Sequence, residues 1–121
     1  MLVLGIAVAG AIGAPVRYLV DGLVAERSEG LFPWGTFLIN VTGSFVLGVL
    51  AGLALYHAFP STPKTILGTG FCGAYTTFST FTYETVRLAE ERDFGPAARN
   101  VLASLVVPAL AAGAGLALAA L

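Results

Sequence analysis

The chain has 121 residues, of which 57% are hydrophobic and 11% are charged, and its formal net charge is −1. With a mean hydropathy of +0.87, this composition is typical of an integral membrane protein and argues against a soluble domain. The basic residues do not cluster, which argues against a nucleic-acid partner, and Cys72 is the only cysteine, which excludes an internal disulfide.

Four apolar runs are long enough to cross a bilayer, which needs about 20 residues per helix. They predict an all-α membrane protein with one domain, residues 1–121, and four transmembrane helices at about 2–24, 32–58, 65–84 and 98–121. Short connections separate the runs, and four prolines mark the helix boundaries: Pro33, Pro60, Pro63 and Pro96.

The first span carries two charges in its last turns, Arg17 and Asp21, which can pair along the helix or extend to the interface. We expect this span to be retained and not cleaved as a signal peptide. Lys64 is the only basic residue outside the spans on the side of the chain termini. The other connections and their flanks carry Arg27, Arg87, Arg92 and Arg99. The positive-inside rule therefore predicts that the termini lie outside.

The second span contains Asn40 within an otherwise apolar run, and a Gly48/Gly52 pair. A neutral amide at this depth either forms an interhelical hydrogen bond or donates to an anion in a pore. The glycines predict close helix packing, against either another subunit or a neighbouring helix of the same chain.

The third span contains the most informative stretch of the chain, 70–81, in which glycines and hydroxyls interrupt an apolar run. Lipid cannot satisfy freed backbone groups, so such a stretch indicates a break, near 73–77, that is buried in protein or lines a polar path. Phe78 and Phe81 share a helical face, as do Thr77 and Thr80. The positive edges of the rings and the hydroxyl donors suit an anion, although packing is the commoner role of such a pair.

The fourth span has Asn100, Ser104 and Pro108 at intervals of four residues. This spacing indicates either a polar stripe on one face of the helix or only a kink at Pro108. The chain has one histidine and no catalytic motif, so we do not expect an enzyme.

Three segments, 13–18, 35–45 and 70–81, together resemble the Fluc (CrcB) fluoride channels in length, span number and motif order. The resemblance implies a cell-membrane channel that passively exports fluoride. It also implies a dual-topology, antiparallel homodimer with two pathways along its interface and a structural sodium ion at its centre. The Lys and Arg bias of this chain leaves a second arrangement open, in which it pairs with an oppositely oriented homologous chain.

The same resemblance implies roles for individual residues. Gly73 and Thr76 would offer backbone carbonyls to sodium, and Arg17 would lie near an aqueous vestibule. The residues implied for the fluoride pathway are Asn40, Phe78, Phe81, Ser79, Thr80, Thr77, Ser104, Asn100 and Arg17.

Two other functions remain as alternatives. A small four-helix multidrug exporter needs a carboxylate within the membrane, and the chain has none before Asp21 and none deep in a later span. A non-conducting subunit would use its polar residues only to bind neighbouring helices.

Overall fold

The computed structural model describes all residues, Met1–Leu121, and is entirely helical. Its elements in chain order are α1 Leu2–Arg27, α2 Trp34–Tyr56, α3 Ser61–Thr65, a π-helix Ile66–Cys72, α4 Gly73–Tyr75, α5 Ser79–Glu90 and α6 Phe94–Ala119. Three of them, α1, α2 and α6, are long and apolar enough to cross a membrane. The predicted third span is divided into shorter pieces, which is why it is not a fourth such helix.

Several helices extend beyond the predicted boundaries. The connections predicted at 59–64 and 85–97 are largely helical, because α3 begins at Ser61, α5 continues to Glu90 and α6 begins at Phe94. Pro63 and Pro96 lie in the first turns of α3 and α6, where the missing N–H needs no intrahelical partner. These prolines therefore mark helix starts a few residues earlier than predicted.

The third span is interrupted at residues 76–78, between α4 and α5. The prediction placed this break at 73–77, but Gly73–Tyr75 is helical, and Thr76 is the first extended residue, with ψ 161°. Ahead of the break the helix is of the π type, in which the N–H of Gly73 reaches the carbonyl of Gly68, five residues earlier. Such segments are rare and often occur at functional sites.

The glycines of α2 pack against α6 of the same chain. A Cβ atom at Gly48 would overlap the backbone of Ala112, and one at Gly52 would lie within 2.9 Å of the Leu116 carbonyl oxygen. From the other side, Gly115 of α6 meets the backbone of Phe45. The Gly48/Gly52 pair is therefore explained by close packing of two helices within one chain.

Two further contacts hold the bundle together. On α1, Gly13 lies against the Phe71 carbonyl of the π-helix, so that α1 packs closely on the first half of the third span. At the other end of α2, His57 Nε2 donates to the Ala119 carbonyl at 2.7 Å and joins the ends of α2 and α6. The fully buried side chains include Ile39, Cys72 and Asn100.

Candidate functional site

A cavity of about 230 Å³ adjoins the break in the third span, between α2 and α6. We call it the Asn40 cavity. No charged side chain lines it. Its polar and aromatic lining residues are Asn40, Ser44, Thr76, Thr77, Phe78, Phe81 and Ser104.

Asn40 binds the backbone of the break at two points. Its Nδ2 donates to the Thr77 carbonyl at 2.8 Å, and its Oδ1 accepts the Thr77 N–H at 2.8 Å. The side chain thus supplies partners that an interrupted helix cannot provide. An amide nitrogen has two hydrogens, so one remains for another acceptor. The two predicted roles of Asn40 are therefore compatible: it joins two helices, and it lines the cavity.

Two carbonyls at the break lose their usual helical donors. In a continuous helix the Thr77 N–H would donate to the Gly73 carbonyl and the Thr80 N–H to the Thr76 carbonyl. Instead, the Thr77 N–H donates to Asn40 Oδ1, and the Thr80 N–H donates to Thr77 Oγ1 at 3.1 Å. The carbonyls freed in this way are those of Gly73 and Thr76.

These freed oxygens fit a hard cation. Sodium, like other hard cations, prefers oxygen ligands, and backbone carbonyls can serve without any carboxylate. The structure contains no cluster of His, Cys, Asp and Glu side chains that would suit a transition metal. The donor chemistry of Gly73 and Thr76 is therefore compatible with the sodium ion that the resemblance implies.

Arg17 also contacts this part of the break. Its Nη1 lies 3.5 Å from the Thr76 carbonyl oxygen, so the guanidinium is directed toward the break. It does not pair with Asp21, whose carboxylate packs against Gly35. Glu84, on α5, accepts a hydrogen bond from Thr36 at 2.6 Å.

Arg87 and Glu91 form the one ion pair of the structure, at 3.1 Å. Arg87 lies past the end of the predicted third span and also donates to the Tyr83 hydroxyl. The hydrogen bonds to Tyr83 and then Glu91 raise the pKa of Arg87 above its usual value, so it stays charged throughout the accessible pH range.

The two phenylalanines form a tilted pair, with ring centroids 5.6 Å apart and planes at 54°. Both line the cavity, but Phe81 is 8% exposed, whereas Phe78 is 71% exposed. Aromatic edges carry partial positive charge, so a pair of rings beside neutral donors suits a small anion.

The hydroxyls after the break have different roles. Thr77 Oγ1 accepts the N–H of Thr80 and donates to Thr80 Oγ1 at 3.1 Å, which caps the start of α5. Neither Ser79 nor Thr80 lines the Asn40 cavity. Ser44 does line it, and its hydroxyl makes no hydrogen bond within the chain. Ser44 was not among the predicted site residues, although it lies one turn after Asn40 on the same face of α2.

The predicted stripe on the fourth span is only partly in the cavity. Asn100 is 1% exposed, and its amide donates to Thr85 Oγ1 at 2.8 Å while its Oδ1 accepts from Ser104 Oγ at 3.1 Å. Asn100 is therefore absent from the cavity wall, and it orients Ser104, which lines the cavity together with Pro108. Thr85, which was not among the predicted site residues, completes this network.

The fold and the site together define a class: a multi-pass membrane protein in which a broken helix exposes polar groups to a cavity between apolar spans. A family profile described as "CrcB-like protein, Camphor Resistance (CrcB)" matches residues 4–116. The chain therefore belongs to the CrcB family.

Its relatives cover nearly the whole chain. A protein of Leifsonia xyli subsp. xyli, named "Fluoride-specific ion channel FluC 1", is 48% identical over 116 residues, which are 96% of this chain and 85% of the relative. The protein of the same name from Streptomyces avermitilis is 50% identical over 109 residues, 89% of this chain and 88% of the relative. "Fluoride-specific ion channel FluC" of Geobacter sulfurreducens is 43% identical over 115 residues, 94% of this chain and 93% of the relative.

Proposed function

We propose that this protein is a fluoride-selective channel, and not an enzyme, that lets cytoplasmic fluoride leave the cell passively. The observation that carries the proposal is the Asn40 cavity, where neutral donors and two aromatic rings meet at a helix break without any charged side chain. The names of the relatives support fluoride as the permeant ion. The family resemblance suggests the physiological role: export of fluoride that enters the cell as neutral HF.

The hydrogen bonds of the cavity leave few free donors. The hydroxyl hydrogen of Ser104 is committed to Asn100, and that of Thr76 to the Cys72 carbonyl at 2.8 Å. Asn40 retains one amide hydrogen, and the Ser44 hydroxyl is free. Fluoride is strongly hydrated, so these donors and the ring edges would replace part of its water shell. Because the groups are neutral, they would not hold the ion too tightly for it to leave.

A second subunit would complete the pathway. Phe78 lines the cavity but is 71% exposed in a single chain, so that one wall is incomplete. An isologous antiparallel copy would double every group at this surface. The Lys and Arg bias of the sequence supports a second form of the same proposal, in which the partner is an oppositely oriented homologous chain.

We further propose that Gly73 and Thr76 of each subunit hold a structural sodium ion. The support is the diversion of their helical donors to Asn40 and Thr77, which leaves the Gly73 carbonyl without a donor and the Thr76 carbonyl with only the Arg17 guanidinium, at 3.5 Å. The ion would supply positive charge at the junction of the two subunits. The chain's own contribution is to divert these donors: Asn40 Oδ1 accepts the Thr77 N–H, and Thr77 Oγ1 accepts the Thr80 N–H.

The multidrug exporter is disfavoured because no carboxylate lines the Asn40 cavity, and proton exchange for a cationic drug requires one. A non-conducting subunit would share the fold but move no ion.

The proposal is tested by fluoride efflux from liposomes that contain only the purified protein, measured with a fluoride electrode. Matched chloride-loaded liposomes and protein-free liposomes are the controls. Rapid loss of fluoride with negligible loss of chloride is the expected result. Equal loss of both ions would refute selectivity. No loss of either would refute a self-sufficient channel and favour the assembly subunit or an obligatory homologous partner.

A further inference from the structure

A second polar cavity, of about 310 Å³, lies beside the first half of the third span. Its walls come from α2, from the end of α3 and from the π-helix. We call it the Lys64 cavity, and its lining residues are Leu47, Leu50, Lys64, Thr65, Gly68 and Thr69.

The Lys64 cavity carries uncompensated positive charge. All seven side-chain carboxylates of the chain lie at the opposite ends of the helices, in or beside the 25–31 and 85–97 segments. Lys64 forms no ion pair with a side chain or with the C-terminus, since the only ion pair is Arg87–Glu91. At the opposite end, by contrast, the basic residues lie among these seven carboxylates, and Arg87 pairs with Glu91.

Hydroxyl groups accompany this charge. Thr65 Oγ1 donates to the Ser61 carbonyl at 2.9 Å, so its hydrogen is already used. The Thr69 hydroxyl makes no hydrogen bond within the chain and faces the same cavity as the Lys64 side chain. One ammonium group and one free hydroxyl are donors that suit a small anion.

The two cavities share one wall. Leu47 lines both the Asn40 cavity and the Lys64 cavity. Asn40, Ser44 and Leu47 follow at intervals of four and three residues, which places them along one face of α2. A path along this face therefore passes from neutral amide and hydroxyl donors, across one leucine, to an ammonium group.

We propose that the Lys64 cavity is a binding site for a small hydrated monovalent anion and forms one mouth of the ion pathway, with Leu47 as the apolar partition between it and the Asn40 cavity. The inference rests on the proposed channel function. Lys64 raises the local anion concentration, and its exposed position keeps the ammonium hydrated, so that the anion is attracted without being trapped. Leu47 imposes a dehydration barrier of the kind that apolar constrictions provide.

The first test compares Lys64→Gln with Arg92→Gln, a matched removal of one positive charge from a residue that lines neither cavity. Fluoride efflux is measured at subsaturating fluoride, in about 10 mM salt and in about 1 M salt of a large impermeant anion, where the Debye lengths are about 30 Å and 3 Å. We expect Lys64→Gln to slow efflux about 3- to 10-fold in low salt only, an effect within the range of electrostatic steering. Arg92→Gln and the conservative Lys64→Arg should match the wild type.

The second test does not depend on conduction. In a Cys72→Ala background, Thr69→Cys is modified with a negatively charged and with a positively charged methanethiosulfonate reagent of similar size. The anionic reagent should react several-fold faster, and adding Lys64→Gln should remove that preference. Equal rates for both reagents with Lys64 present would overturn the anion site.

Leu47→Ala should increase fluoride efflux, and Leu47→Trp should reduce it, while size-exclusion profiles stay those of the wild type. Efflux unchanged in both would overturn the role of Leu47. If the wild-type protein moves no fluoride, the channel function fails and the cysteine test still decides the anion site. If wild-type efflux is normal and Lys64→Gln equals Arg92→Gln in both salts, the inference alone fails.

Discussion

The two-point hydrogen bond of Asn40 makes a quantitative prediction about stability and flux. Asn40→Leu keeps a similar volume but removes both bonds to Thr77, leaving its N–H and its carbonyl without partners at membrane depth. Asn40→Asp keeps an acceptor for the Thr77 N–H, but its second oxygen faces the Thr77 carbonyl. It also places negative charge in the cavity.

The magnitude follows from the groups left unpaired. A buried polar group without a partner costs about 1–3 kcal/mol, so two such groups at Thr77 would cost about 2–6 kcal/mol. Asn40 is only half-buried and lines a cavity, so water can partly replace the lost partners, and we expect about 2–4 kcal/mol for Asn40→Leu. Asn40→Asp loses one bond and should be similarly or slightly less destabilised.

The assay combines reversible unfolding in mixed detergent micelles with fluoride efflux from liposomes that contain equal amounts of folded protein. We expect both variants to be less stable than the wild type, and Asn40→Asp to conduct no fluoride because its charge repels the anion. Leu55→Ala, on the exposed part of α2, is the stability control. If Asn40→Leu is as stable as the wild type, the Thr77 backbone does not need the hydrogen bonds from Asn40. Wild-type flux of Asn40→Asp would remove Asn40 from the pathway.

Four further predictions follow from the same structure. Phe78→Ile and Phe81→Ile should both lower fluoride flux, because each variant loses a ring edge. Only the variant at the buried position, Phe81→Ile, should also lower the free energy of unfolding, by about 1–2 kcal/mol. Unchanged flux in both variants would leave the rings a packing role only. Gly48→Leu should lower the free energy of unfolding by about 1–3 kcal/mol, because a Cβ atom there meets the backbone of α6. The control Gly113→Leu should lower it little, because a Cβ atom at Gly113 meets open space. Equal losses of stability would contradict the close contact of α2 and α6. Asn100→Leu should lower the free energy of unfolding by about 1–3 kcal/mol, because it leaves the hydroxyls of Thr85 and Ser104 without their amide partner. Wild-type stability of this variant would argue against that hydrogen-bond network. Replacing sodium by a large organic cation should lower the unfolding temperature of the assembled protein, and no shift would count against the proposed sodium site.

The interruption of the third span could be predicted, because glycines and hydroxyls at membrane depth are costly unless they belong to a break that is buried in protein or lines a polar path. The exact position of the break could not be predicted from the sequence. Gly73 suggested it, yet the chain stays helical to Tyr75, and the interruption lies at residues 76–78. The π-helix of Ile66–Cys72 was not predicted at all, since its i→i+5 bonds leave no distinct pattern of residue types.

The candidate site divides in the same way. Phe78, Phe81 and Asn40 were chosen by residue type and depth, and they do line one cavity. Asn100 was chosen by the same reasoning, but it is buried against Thr85 and only orients the residue that reaches the cavity.

By itself, the amino-acid sequence determined that this protein is an all-α membrane protein, because its apolar runs of about 20 residues with few charges have the length and composition of membrane-spanning helices. It also determined where polar groups interrupt those runs. The tertiary structure alone decided the partners: Asn40 with the backbone of Thr77, Gly48 with α6, and Leu47 between two cavities. The physical reason is that a helical position specifies a face and a depth, whereas the atom it meets depends on how the other helices pack against that face.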